Sequence, residues 1–268
     1  MRKAVIGYAL PLLAVLVLGP LATLPLAATR GIDASGAHTA LLGSAPAMGA
    51  IGWLFATAAA VGVAWLGSRA IGAKEGWFAG ALILLWTAWR TGSARELVLS
   101  GGFSGVPLVV EGVLALASAG LVAIVAATHG KQISAFVRET FSSSALVPIG
   151  VAALVGVVGA TLAAREVSKG QAIFAAAAAG VLAGSAARLL GGEESDEVAA
   201  VRAIVGACLI AVIAPIYTAV AQDPEAMLMA GRSLGIGSIL PMDWTTGVLL
   251  GVPIGISWAG SSSTRHST

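Results

Sequence analysis

Apolar runs about as long as a lipid bilayer is thick recur along the whole chain. A membrane-spanning helix needs about 20 predominantly apolar residues. Eight segments reach or approach that length, at residues 4–28, 46–67, 76–97, 106–128, 146–164, 170–190, 198–221 and 244–260. They predict an all-α fold, a polytopic transmembrane helix bundle of about eight spanning helices that forms one domain over residues 1–268.

The charge content agrees with a membrane protein and excludes several other classes. Charged residues make up 10% of the chain, whereas a soluble domain carries roughly 25%. The net charge of +2 and the lack of a basic tract argue against nucleic-acid binding. The single cysteine, Cys208, lies inside an apolar run and is interpreted as a small packing residue.

Lysine and arginine residues favour the cytoplasmic side of membrane proteins. With the N-terminus inside, nine of them fall on the inner side and six on the outer side. The inner set is Arg2, Lys3, Arg69, Lys74, Lys131, Arg138, Arg188, Arg202 and Arg265; the outer set is Arg30, Arg90, Arg95, Arg165, Lys169 and Arg232. We expect both termini to be cytoplasmic, in the plasma or inner membrane of a prokaryote.

Residues 1–28 allow a second interpretation. They combine a basic start, an apolar core and small residues at Ala27 and Ala28, which is also typical of a signal peptide. The apolar stretch is long for such a peptide, which favours a retained first helix. The remaining helices, within residues 29–268, keep their orientation under either interpretation.

All seven tryptophans lie near the ends of predicted helices. Indole rings prefer the membrane–water interface. The residues are Trp53, Trp65, Trp77, Trp86, Trp89, Trp244 and Trp258. Their positions support the division of the chain into helices, and we expect them to lie at the interface.

Small residues are concentrated in several helices. Apolar helices in lipid associate through close packing, which small residues permit. Three GxxxG pairs are present: Gly76/Gly80, Gly180/Gly184 and Gly251/Gly255. The segment 170–190 consists mostly of small residues, so we place it in the middle of the bundle. Such faces would also allow contact with other membrane subunits or with a second copy of the chain.

Two stretches resemble one another loosely. Each contains a helix, a short basic loop and a second helix, which ends in TAWR in one stretch and in SAAR in the other. If helices 2–4 and 5–7 are duplicates, their odd number makes the copies inverted, a 3+3 arrangement that recurs in transporters. The identities are mostly Ala, Gly and Ile, which coincide easily in such a composition.

Recognisable catalytic motifs are missing from the sequence. It contains no HExxH, no Walker A loop and no CxxC. The three histidines, His38, His129 and His266, fall in predicted loops or the tail, which argues against haem ligation. The aspartates also fall in predicted loops. We expect no enzyme activity, no cofactor and no metal site.

The end of the third predicted helix carries an unusual concentration of charge. The uncharged run Gly76–Trp89 has 14 residues, about 21 Å, which is too short to span. Extending the helix to Leu97 would draw Arg90 below the surface, at the depth of Glu111 in the next helix. We therefore predict an Arg90–Glu111 ion pair.

Alternatives to this ion pair remain. Arg95 is the second candidate partner of Glu111. Together with Glu96, these residues are also candidates for a ligand or lipid-headgroup site on the outer face. Plain snorkelling of Arg90 towards water is the third interpretation.

Three function classes fit these patterns. The first is a structural or accessory subunit of a larger membrane assembly. The second is a facilitator or permease for a small, weakly polar solute, and the third is a lipid-acting membrane enzyme. The scarcity of reactive side chains favours the first class, and the repeat would favour the second.

Overall fold

The computed structural model describes residues 2–29, 38–129, 132–164, 168–192 and 194–263. Every regular element in these ranges is a helix. The α-helices are α1 (Arg2–Leu13), α2 (Gly19–Ala22), α3 (Pro46–Ala70), α4 (Ala73–Arg90), α5 (Ala94–Leu99), α6 (Gly105–Ala127), α7 (Ile133–Thr140), α8 (Leu146–Ala163), α9 (Lys169–Leu190), α10 (Asp196–Cys208), α11 (Ile210–Ala221), α12 (Pro224–Met229) and α13 (Pro241–Ser263). Arg30, Lys131, Arg165, Arg265 and His266, used above, lie outside the described residues.

Five helices in the described part of the chain are long and apolar enough to cross a membrane. They are Pro46–Ala70, Gly105–Ala127, Ser143–Ala163, Lys169–Leu190 and Asp196–Ala221. A shorter apolar helix covers Ile6–Ala22. The all-α fold is therefore present and the chain has the helices of a membrane protein, whereas the count of about eight spans and the internal repeat are not confirmed.

The first helix contains an irregular segment. A π-helical stretch, Ala14–Leu18, connects α1 to α2, and a 3₁₀ helix covers Leu24–Ala28. Pro20 follows the π-helical stretch, and proline has no N–H to continue the helical bonding pattern. The indole N–H of Trp86 on α4 donates a hydrogen bond to the carbonyl of Val15, within the π-helical stretch (2.6 Å).

Close backbone contacts join the helices at the predicted glycine pairs. A Cβ added at Gly180 of α9 would lie 2.8 Å from the Val248 carbonyl oxygen of α13, and one added at Gly251 of α13 would overlap the Ala177 carbonyl of α9. Gly76 and Gly80 of α4 face the backbone of α3 in the same way. All three GxxxG pairs therefore lie at helix–helix interfaces.

Three of the seven tryptophans are wholly buried inside the bundle. Trp53, Trp77 and Trp244 are at most 2% exposed. The indole of Trp53 donates to Ser118 Oγ (2.9 Å), and that of Trp77 donates to the Ala123 carbonyl (2.9 Å). Position near a helix end does not separate a ring that faces lipid from one that faces a neighbouring helix.

Candidate functional site

The predicted third span is wrong at its C-terminal end. Helix α4 stops at Arg90, and Thr91 is extended. A new helix, α5, begins after Ser93, whose hydroxyl and backbone exchange hydrogen bonds with Glu96 in a capping box. The uncharged run is too short to span, and α4 gains length at its N-terminal end instead. The helix begins at Ala73 and has 18 residues, about 27 Å.

Glu96 and Arg95 are neighbours on α5 but make different contacts. The Glu96 carboxylate accepts the Ser93 N–H at 2.7 Å, so its visible role is to begin this helix. Arg95 is exposed. It forms none of the four ion pairs found within the described ranges.

The Arg90–Glu111 ion pair is absent, and so is the Arg95–Glu111 alternative. Glu111 is 1% exposed, and its Oε1 accepts hydrogen bonds from the Thr39 hydroxyl and from the Leu41 N–H (2.6 Å). Arg90 is half-buried, and its Nε has no hydrogen-bond partner in the part of the chain that the structure describes. The segment before α3 supplies neutral donors to Glu111, so the carboxyl does not need an arginine.

Lys169 and Asp243 form a second buried polar contact at this end of the bundle. The Lys169 ammonium at the start of α9 lies 2.8 Å from Asp243 Oδ1 in the first turn of α13. It also donates to Thr91 Oγ1 (3.0 Å) and to the Gly92 carbonyl (2.9 Å), just beyond α4. The two side chains are 17% and 1% exposed, so this ion pair is shielded from water.

Glu111 belongs to the same electrostatic environment. The charges of Lys169 and Asp243 both act on its carboxyl. The Gly92 N–H donates to the His38 carbonyl at 2.6 Å, which joins the end of α4 to the segment that holds Glu111. We refer to Glu111, Lys169 and Asp243 as the Lys169 cluster.

Sequence reasoning placed Lys169 and Asp243 in loops, and so missed two of the three members of this cluster. A local signal existed at residues 241–243, Pro-Met-Asp. Proline at the first helical position and an acidic residue in the first turn are typical of a helix start. Applying this rule would have placed Asp243 inside a helix, although it would not have shown the contact with Lys169.

The opposite end of the bundle has its own set of charges, here named the Lys74 cluster: Lys74, Arg188 and Asp196. Lys74 Nζ lies 3.3 Å from Asp196 Oδ2, and Arg188 Nε lies 2.8 Å from Asp196 Oδ1. Lys74 also lies 3.3 Å from Ser257 Oγ of α13. The Lys74 and Asp196 side chains are 40% and 37% exposed, so water reaches this cluster.

Arg202 of α10 is buried near the same end. Its guanidinium donates to the Thr140 carbonyl (2.9 Å) and the Glu139 carbonyl (3.1 Å) at the end of α7, and it pairs with Glu194. Glu194, in the segment before α10, therefore pairs with the arginine that joins α10 to α7. Ser195 caps α10, as expected for a helix start.

A groove of about 740 Å³ lies beside the Lys74 cluster. Lys74 and Glu75 flank one part of it, and the rest is mainly apolar and aromatic. The lining residues are Gly7, Tyr8, Pro11, Leu12, Lys74, Glu75, Phe78, Pro253, Ile254, Ser257 and Trp258. They come from α1, α4 and α13, so the groove follows the junction of the first and last helices.

The arrangement contains charged contacts between helices rather than a recognisable reaction centre. Within the described ranges, no three His, Cys, Asp or Glu side chains are placed to hold a metal ion. Comparison of the chain with protein-family models, with curated proteins and with solved structures found no match. The function therefore has to be argued from the residues themselves.

Proposed function

We propose that the chain is a structural or accessory subunit of a larger membrane assembly. The observation that carries this proposal is the use of the buried charges. Lys169 joins α9, α13 and the end of α4, and Arg202 joins α10 to α7. Lys169 and Arg202 each contact other helices or the segments that adjoin them, as expected for groups that hold a scaffold together.

The proposed topology has eight passes. Helices α4 and α13 have 18 and 23 residues, about 27 and 35 Å, which is comparable with the hydrocarbon thickness of about 30 Å. Lys169 and Lys74 contact opposite ends of α13, at Asp243 and Ser257. This supports α13 as a helix that extends from one end of the bundle to the other, with the first helix as the eighth pass.

The groove between α1 and α13 is the proposed site for a partner's transmembrane helix. Its exposed aromatic residues, Tyr8 and Trp258, are 78% and 65% exposed, and aromatic side chains are enriched in protein interfaces. Leu12 and Ile254 add exposed aliphatic surface to the same groove. A partner helix would bury these side chains beside Lys74, which lines the same groove.

Native mass measurement after extraction in a mild detergent tests this proposal. We expect a complex of fixed stoichiometry that is heavier than one chain, and its partial loss in an Ile254→Ala/Trp258→Ala variant. Leu154→Ala/Leu189→Ala is the matched control, because Leu154 and Leu189 are exposed on α8 and α9, away from the groove. A single chain in the wild type, or equal loss in both variants, would contradict the proposal.

A facilitator for a small, weakly polar solute is the second candidate. The supporting observation is a correspondence between the proposed repeats: Lys74 lies in the first turn of α4 and Lys169 begins α9, and each contacts α13. Reconstituted vesicles mixed with glycerol would swell faster than protein-free vesicles if the chain conducts such solutes. Equal rates would remove this candidate.

A further inference from the structure

The Lys169 cluster has an unequal number of acidic and basic groups. It contains two carboxyls, Glu111 and Asp243, and one ammonium, Lys169. Glu111 and Asp243 are 1% and 0% exposed. A buried charge without a partner is strongly unfavourable, and such a group usually neutralises by gaining or losing a proton.

The ammonium of Lys169 contacts Asp243 rather than Glu111. Its Nζ lies 2.8 Å from Asp243 Oδ1. It also donates hydrogen bonds to Thr91 Oγ1 (3.0 Å) and to the Gly92 carbonyl (2.9 Å). Lys169 and Asp243 are therefore the ion pair of the cluster, and Glu111 is the additional carboxyl.

The hydrogen bonds of Glu111 leave one oxygen for a proton. The Thr39 hydroxyl and the Leu41 N–H both donate to Oε1. None of the hydrogen bonds found within the described ranges reaches Oε2. Two donors on one oxygen are compatible with a neutral carboxylic acid, whose carbonyl oxygen accepts while the other oxygen carries the proton.

The surrounding helices supply few other charges at this end. Of the helices packed on α6, α4 carries Arg90, α11 carries Tyr217 and α13 carries Asp243; His38 lies in the segment that precedes Thr39. Among the residues that the structure describes, the charges of Lys169 and Asp243 act on Glu111. Glu111 forms none of the ion pairs found within these residues.

We propose that Glu111 is a proton-binding site. It holds one exchangeable proton on Oε2, beside the Lys169–Asp243 ion pair. Ionisable groups that are buried among membrane helices commonly mark proton or ion sites. The inference is independent of whether the chain is a scaffold or a facilitator, because it depends only on the charges and contacts of the cluster.

Infrared difference spectroscopy of the full chain in lipid nanodiscs tests the site. A titration from about pH 4 to about pH 10 covers the range from ordinary carboxyls to buried ones. We expect a carbonyl band of a water-shielded carboxylic acid that disappears as the pH rises, and that is absent in Glu111→Gln. Glu96→Gln is the matched control, because Glu96 is exposed near the same end, and this variant should keep the band.

Several results would overturn the proposal. They are a wild type without such a band at any pH, a band that persists in Glu111→Gln, and a band that responds to sodium concentration at constant pH, since the occupant would then be a metal cation. If Glu111→Gln does not fold, Lys169→Gln provides a second test. Removal of the ammonium should also protonate Asp243 and increase the band amplitude about twofold; an unchanged amplitude would contradict the assignment.

Discussion

The contact between α9 and α13 allows one prediction to be worked out in detail. In the Gly180→Ala variant the new Cβ would lie 2.8 Å from the Val248 carbonyl oxygen and 2.9 Å from Val248 Cα. Carbon atoms ordinarily pack at about 3.5–4.0 Å. The obstructing atoms are backbone, so a side-chain rotation cannot relieve the overlap, and the two helices must separate by about 0.6–1 Å.

The size of the effect follows from two opposing contributions. Overpacking of a close interface costs about 1–3 kcal/mol, and a gap of about 0.5–1 Å loses a quarter to a half of each neighbouring dispersion contact. Alanine is better than glycine within a helix by about 0.8–1.0 kcal/mol. We expect Gly180→Ala to lower the free energy of unfolding by about 0–2 kcal/mol after both contributions.

Gly62→Ala is the matched control. Gly62 lies within α3 and would have no atom within 4 Å of an added Cβ. The same substitution should therefore show only the helix-propensity gain, about 0.5–1 kcal/mol. The difference between the two variants isolates the packing contribution at the α9–α13 interface.

Cys208 supplies the assay. It is the only cysteine in the chain and is wholly buried, so a thiol-reactive fluorogenic dye labels the protein only when the bundle loosens. The unfolding temperature of Gly180→Ala should be several degrees below that of Gly62→Ala, since each kcal/mol corresponds to about 2–4 °C for a chain of this size. If Gly180→Ala is as stable as Gly62→Ala, the close α9–α13 contact does not exist as described.

Three further substitutions test other contacts, with the same dye assay unless stated. Arg202→Lys keeps the charge but loses the planar fork that reaches two carbonyls, and should lower stability by about 1–3 kcal/mol; wild-type stability would contradict this role. Trp77→Phe removes the indole hydrogen bond to the Ala123 carbonyl, which lies within α6, and should lower stability by about 0.5–1.5 kcal/mol; wild-type stability would contradict the contribution of this bond. Ser93→Ala removes the cap of α5, worth about 0.5–2 kcal/mol, and should speed amide hydrogen exchange in Ala94–Leu99, whereas Arg95→Ala should not; equal rates in both variants would rule out the cap.

The helix-pairing pattern was predictable from the sequence because it depends on local spacing. Residues four apart lie on one face of a helix, so Gly180 and Gly184 had to share a face, and only small residues permit close approach in lipid. The identity of the partner helix was not predictable. Gly180 faces Val248, 68 positions further along the chain, and no local pattern specifies such a contact.

The contacts of the buried charged residues, in contrast, were not predictable from the sequence. The Arg90–Glu111 prediction assumed that the third span extends to Leu97 and so draws Arg90 below the surface, to the depth of Glu111. The structure satisfies Glu111 with the Thr39 hydroxyl and the Leu41 N–H, donors that exist in almost every loop and give no sequence signal. Lys169 in turn pairs with Asp243, a residue 74 positions away.

The unequal burial of the two charged clusters bears on the choice between a scaffold and a facilitator. A transporter built from inverted repeats must open alternately at its two ends. Separating Lys169 from Asp243 would leave two buried charges without partners, which costs about 3–5 kcal/mol, whereas the half-exposed Lys74–Asp196 contact is worth at most about 1 kcal/mol. Water entering beside α13 can therefore separate Lys74 from Asp196 far more easily than it can separate Lys169 from Asp243. Alternating access would require the Lys169 end to gain water or a proton on Asp243 during each cycle, and a scaffold would need neither.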